Sequence, residues 1–171
     1  MRYQLVVLDD EIGGSMTVQS IAWQRAPAGA SQGMYYVAKI YMGLCASDAL
    51  SATFEDNWVP GSKTLVLDAD TLSLSAAANE WEPVPLDVPF EYDGTGNLLV
   101  EVQWAAANPA YSFYTWKWET GAARSVKAGS VSSPTGILST QMSELMLTGT
   151  MALEADTFAG IKTLFVPGGS E

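Results

Sequence analysis

Residues 86 to 104, LDVPFEYDGTGNLLVEVQW, constrain the fold more than any other stretch, because two strand-like runs flank a turn built from Asp93, Gly94, Gly96 and Asn97. Asp, Asn and Gly tolerate the backbone that a tight reversal demands, so the stretch reads as a β-hairpin. In its second arm Leu98, Val100, Val102 and Trp104 share one face of a pleated strand, and Leu99, Glu101 and Gln103 the other. That alternation predicts one buried and one mostly wetted face.

The same period of two runs along most of the chain. Val18, Ser20 and Ala22 alternate with Thr17, Gln19, Ile21 and Trp23; Tyr35, Val37, Lys39 and Tyr41 alternate with Tyr36, Ala38, Ile40 and Met42. Further strand candidates are 80 to 88, 97 to 105, 111 to 118, 122 to 127, 142 to 153 and 161 to 166, with Pro83 and Pro85 restricting the first of these to an edge or a bulge. Gly, Pro, Asn and Ser clusters separate them at short intervals. The pattern predicts an all-β fold, an antiparallel two-sheet, jelly-roll-like β-sandwich. One short connector helix is expected over 47 to 54, where Ser47 caps the first turn and Glu55-Asp56-Asn57 ends it.

At 171 residues the chain fits a single domain, 1 to 171, long enough to bury a core without staples. Eight Lys and Arg against nineteen Asp and Glu leave a net charge of −11, which repels phosphate backbones and makes nucleic acid a poor partner. Only 16% of residues are charged, so much of the surface is left to Ser, Thr, Gly, Asn and Ala, a composition compatible with tight subunit packing. No apolar run is long enough to span a bilayer. Cys45 has no partner for an intrachain disulfide and reads as a small buried apolar residue.

The chain has no histidine, so Ser-His-Asp and Cys-His arrangements and imidazole acid–base chemistry are excluded. No phosphate-binding Gly-Lys-Ser/Thr loop is present. Acids on strands and in loops are usually solubilising charge, and the chain is expected not to be an enzyme. Calcium is a candidate ligand, with Asp68, Asp70 and Asp93 as its contributors, since that ion takes oxygen ligands from bent loops. Asp93 also has a sufficient role in the turn itself.

Aromatic side chains crowd one stretch: Tyr111, Phe113, Tyr114, Trp116 and Trp118. Tyr114, Trp116 and Trp118 fall on one side of a strand and are candidates for a sugar-stacking platform or a contact with a cell-surface partner. For any single Trp a place in the core is the commoner fate.

The string Pro89-Phe90-Glu91-Tyr92-Asp93-Gly94, followed by Asn97-Leu98-Leu99-Val100-Glu101-Val102, resembles the PF-x-YDG-x-x-NLLVEV segment of secreted bacterial β-sandwich modules found in uncharacterised surface proteins. Ser20-Ile21-Ala22-Trp23, Lys39-Ile40-Tyr41-Met42-Gly43 and Leu50-Ser51-Ala52-Thr53-Phe54-Glu55-Asp56-Asn57 are similar to further passages of those modules. The resemblance covers roughly residues 14 to 150 and implies a sandwich fold and an extracellular or cell-surface location. It implies no catalytic residues.

Two terminal apolar runs complete the reading. Arg2 to Leu8, with Tyr3, Leu5 and Val7 on one face, precedes Gly13-Gly14, and Gly160 precedes Ile161 to Val166, which includes Leu164. A terminal strand on a joint pairs within its own sheet or adds to a neighbour's. The expectation is a structural subunit that assembles with copies of itself into a filament or surface layer, residues 1 to 12 being the donor strand, or else Ile161 to Val166. Removal of 1 to 12 is then expected to leave soluble monomers. The alternative expectation is an extracellular binding module for a polysaccharide or a cell-surface partner.

Overall fold

A computed structural model describes residues 1–109 and 113–151 of the chain. The strand expected at 161 to 166, with Ile161 and Leu164, lies outside the described residues, as does Tyr111. In chain order the elements are β1 (Arg2–Val7), α1 (Asp9–Ile12), β2 (Met16–Gly29), β3 (Gln32–Cys45), β4 (Thr64–Ser75), β5 (Trp81–Tyr92), β6 (Asn97–Gln103), β7 (Ala106–Asn108), β8 (Phe113–Thr115), β9 (Lys117–Glu119), β10 (Ser125–Ala128), β11 (Ile137–Ser139), β12 (Gln141–Ser143) and β13 (Leu145–Met151). Every pairing between them is antiparallel.

The fold is an all-β sandwich. The first sheet runs β11-β10-β1-β6-β3-β4, with β7 added on β3; the second runs β13-β2-β5, with β8 added on β2; β9 and β12 form a separate pair. The chain crosses between the sheets from β1 to β2, β2 to β3, β4 to β5 and β5 to β6, while β3 and β4 pair within the first, and the alternating apolar residues of both sheets meet in the middle. Leu5, Ile40, Met42, Val66, Leu98 and Val100 from the first sheet pack with Val18, Ile21, Trp23, Val84 and Phe90 from the second. Such two-layer closure is how sheets with one apolar face bury it.

The turn at 93 to 96 forms as its residues predict, but its arms are not a hairpin. Asp93 Oδ1 accepts the Thr95 amide at 2.9 Å, the Tyr92 hydroxyl donates to the Gly96 carbonyl at 2.6 Å, and Gly94 takes a φ of 83°. A Cβ on Gly94 would lie 2.7 Å from the Ser15 amide nitrogen, so only glycine fits there. Yet β5 pairs with β2 in the second sheet, while β6 pairs with β1 and β3 in the first. Turn chemistry specifies a reversal; it does not specify whether the two arms then bond to each other.

The wetted face expected on β6 is also absent. Leu99 and Glu101 are fully buried, because the segment between β3 and β4 lies over the outer face of the first sheet. Its Leu50, Phe54 and Trp58 form a second apolar cluster with Val6, Leu99 and Val126. That segment is not the helix expected over 47 to 54. It carries one 3-10 turn at Phe54–Asn57, and the other helical turn among the described residues is α1. Local polar side chains take the backbone donors a helix would use: Ser47 Oγ accepts from Ala49 N, Ser51 Oγ from Thr53 N and Asn57 Oδ1 from Ser51 N. Leu50 N and Phe54 N donate to the carbonyls of Ala123 and Pro134. Ser and Asn compete with helix in this way, and long-range partners complete the displacement.

Candidate functional site

Beneath that covering segment lies a buried charge cluster centred on Glu101, a position the alternation alone assigns to solvent. Its Oε2 accepts from Arg2 Nη2 at 2.8 Å and Gln4 Nε2 at 2.6 Å; its Oε1 accepts from Gln103 Nε2 at 2.5 Å and Lys63 Nζ at 3.2 Å. Arg2 also reaches Glu55 at 2.5 Å and stacks 4.3 Å over the Phe54 ring. Lys63 sits over the rings of Tyr41 and Trp58. The hydrogen bond from Arg2 holds the Glu55 carboxyl below its ordinary range, burial opposing it. With four donors on one fully buried carboxylate, Glu101 is a fastener. It ties β1, β6 and the covering segment together.

The N-terminal strand is placed inside the molecule's own sheet. β1 pairs with β6 on one edge and β10 on the other, and its Tyr3, Leu5 and Val7 point into the sandwich core. Arg124 then staples the end of the strand: its Nε and Nη2 donate to the Val6 carbonyl at 3.2 and 2.9 Å, and its guanidinium forks onto Glu11 of α1. That fork holds the Glu11 carboxyl below its ordinary range. Residues 1 to 12 thus form one fastened unit.

The opposite situation holds at β13. Among the described residues it pairs only with β2, so its outer backbone edge is open. A groove follows this edge, with Val7, Ile12, Met16, Met142, Leu145, Leu147 and Met151 as its apolar lining and Glu11, Trp81, Glu144 and Thr148 among its other lining residues. Gly149 permits the bulge that shapes the strand here, since a Cβ at that position would collide with the Thr17 carbonyl. This combination of an unpaired edge with an apolar trough is what an added strand requires.

The aromatic stretch does not present its three candidates together. Trp118 pairs across from Met142 and lines the groove, with Arg124 stacked 5.2 Å over its ring. Tyr114 is exposed on β8. Trp116 lies between β8 and β9, its amide donating to the Gln24 carbonyl and its indole Nε1 to Asn79 Oδ1 at 2.9 Å. That bond carries the ring over β2 toward the start of β5, where Trp81 stands opposite Gln24. Trp81 has no marker in the sequence beyond being a Trp near prolines.

The three carboxylates considered for calcium are not gathered. Asp68 and Asp70 stand on β4, where Asp68 Oδ2 bonds Lys39 Nζ at 2.6 Å, whereas Asp93 is committed to its turn. Among the described residues no group of three or more His, Cys, Asp or Glu could hold a metal ion. Asp68 and Asp70 share β4, and it is Asp93, in the turn after β5, that the fold sets apart from them. Cys45 is buried and its Sγ donates to the Ser47 carbonyl; burial pushes its thiol pKa up, so it behaves as a core residue. At one end of the sandwich an apolar cavity of about 150 Å³ is lined by Tyr3, Trp23, Tyr35, Trp104 and Phe113. It is below the size of an ordinary small-molecule site.

No helix among the described residues is long and apolar enough to cross a membrane. Comparison with protein-family models, with curated proteins and with solved structures finds no match to this chain.

Proposed function

We propose that this chain is a non-catalytic extracellular structural subunit that assembles with copies of itself by adding a C-terminal strand of one copy to the next. The observation that carries the reading is the open β13 edge beside its apolar groove. Twenty residues follow Met151, and Ile161 to Val166 among them is a strand-like apolar run of a length that fits such an edge. A strand laid there gains main-chain hydrogen bonds from β13 and buries its apolar side chains against Leu145 and Leu147. Transfer between copies repeats head to tail and makes an open polymer.

The N-terminal strand is the costlier donor. A β1 supplied by a second copy restores the same contacts in the end state. Exchange nevertheless passes through a form in which a central strand has left and Glu101 has lost Arg2 and Gln4. Removing 1 to 12 takes away a core strand, so that deletion tests folding more than assembly. The absence of histidine and the sealing of Glu101 support the non-catalytic part of the reading.

The test is electron microscopy and size-exclusion chromatography of the full chain beside a variant ending at Met151. Polymers from the full chain and monomers from the truncated one are expected, with a peptide of residues 160 to 167 binding the truncated protein. A full chain that stays monomeric when concentrated overturns the assembly reading; polymers that persist in the truncated variant overturn the C-terminal route.

A further inference from the structure

The outer face of the second sheet, which meets the β13 groove at Trp81, has its own chemistry. Register fixes what it presents: Trp81, Gln24 and Trp116 form one row across β5, β2 and the end of β8, and Pro83, Ala22 and Met146 form the next across β5, β2 and β13. These residues face outward, because Trp23 and Ile21, their neighbours along β2, point into the core. Trp81, Trp116 and Met146 are 37%, 41% and 38% exposed, whereas Ala22 forms a nearly covered floor between larger neighbours.

The rings are held in place. Asn79 accepts from the Trp116 indole with its side chain, donates its amide to the Arg25 carbonyl at 2.8 Å and accepts from Gln24 Nε2 at 2.9 Å with its carbonyl. It takes a φ of 69°, a conformation that Asn tolerates better than most residues. An exposed indole fixed by its own N–H has lost its freedom before any partner arrives, which removes part of the cost of binding. An aromatic row of this kind on a monomer's surface marks a contact site.

We infer that this face binds a neutral polysaccharide, the flat C–H faces of its sugar rings stacking on Trp81 and Trp116. Three observations select that partner. The rows offer indole rings and the amides of Gln24 and Asn79, which pair with hydroxyls as donor or acceptor, while Glu144, whose amide donates to the Trp116 carbonyl, sets a carboxylate at the end of the Trp116 row that disfavours an acidic chain. The molecule carries a net charge of −11, so an acidic polymer meets repulsion here while a neutral chain does not. The surface is an open sheet face, which suits an internal stretch of a polymer better than an isolated sugar. Trp81 also borders the groove beside β13, but the inference does not rest on assembly, and Trp116, which is not among the groove's lining residues, reads it independently.

The experiment is retention of the full-length protein on cellulose, xylan and galactomannan, with alginate and chitosan as charged counterparts, followed by Trp fluorescence. At least one neutral polysaccharide is expected to retain the protein with a change in Trp emission. Trp81→Ala and Trp116→Ala are each expected to weaken that retention roughly tenfold, the loss of one stacking contact. Trp116→Phe, which keeps a ring and loses the Asn79 bond, is expected to fall between wild type and Trp116→Ala, and thermal melts of all variants show that they remain folded. Val88→Ser, an exposed apolar site on β5 outside the two rows, is expected to leave retention unchanged. Failure to bind any neutral polysaccharide, binding only to the charged polymers, or binding that folded Trp81 and Trp116 variants retain in full each overturns the inference.

Discussion

The two sheets of this sandwich differ in what covers them. The middle of the first is covered on both faces, by the second sheet on one side and on the other by a segment that buries Leu50, Phe54 and Trp58 over a carboxylate with four donors. The second is sealed on one face only. Its other face shows Trp81, Trp116 and Met146 to solvent, and its β13 edge has no partner strand among the described residues. The difference teaches where cohesion lies: it is concentrated where strands are covered twice, and apolar surface is left open where they are covered once. Buried polar groups are concentrated around Glu101 on the first sheet, where Arg2 Nε and Trp58 Nε1 are left without partners, whereas Arg25 of β2 is buried against the carbonyls of Gly29 and Ala30.

The largest effect that would break this comparison is at Glu101. Glu101→Gln leaves Arg2 and Lys63 without their buried counter-charge and is expected to lower stability by about 3 to 5 kcal/mol, against about 1 kcal/mol for Met146→Ser on the open face. Urea denaturation of both variants checks it, and equal losses would mean that the two sheets share the load evenly.

A smaller effect of opposite sign is expected at Val37, where β3 changes partner from β6 to β7. Its φ of 53° is an unfavourable conformation for a β-branched side chain that is 52% exposed. Val37→Asn is expected to stabilise the protein by roughly 1 kcal/mol, read as a higher midpoint in thermal unfolding. A lower midpoint would show that the Val37 side chain contributes packing that outweighs its backbone strain.

The smallest effect is acid sensitivity on the sealed side. Glu11 and Glu55 are held below their ordinary pKa of 4.5 by Arg124 and Arg2 respectively. Their contribution is therefore present above that value and is lost as pH falls through the depressed folded value. Both carboxylates are partly exposed, so salt should reduce the effect. Thermal melts on the acid side of 4.5, with Glu11→Gln flattening the dependence, measure it; an unchanged profile in that variant would remove Glu11 from the account.

Much of the fold was legible before any coordinates. Alternation in residues 17 to 23 and 35 to 42 gives strands where β2 and β3 stand, and Asp93 with Gly94 gives a turn where one forms. The helix expected over 47 to 54 does not form, because Ser47 and Asn57, which read as cap and stop, join Ser51 in satisfying the backbone with their side chains. The candidate sites were legible only in part. Trp116 was visible as an aromatic in a crowded stretch, but its companion Trp81 is 35 positions away in the sequence and joins it only through the register of β2.

The sequence by itself determined that this chain makes strands, which residues of each strand share a face, where it turns, and that imidazole chemistry is absent. Those are local properties, set by the two-residue pleat, by backbone preference and by the residue inventory. Only the tertiary structure decided that the arms of the 93 to 96 turn go to different sheets, that Glu101 lies in a sealed cluster, and that Trp81 and Trp116 share an open face. Each of these depends on which strands become neighbours. That choice is settled by the burial of many side chains at once, and no short stretch of sequence carries it.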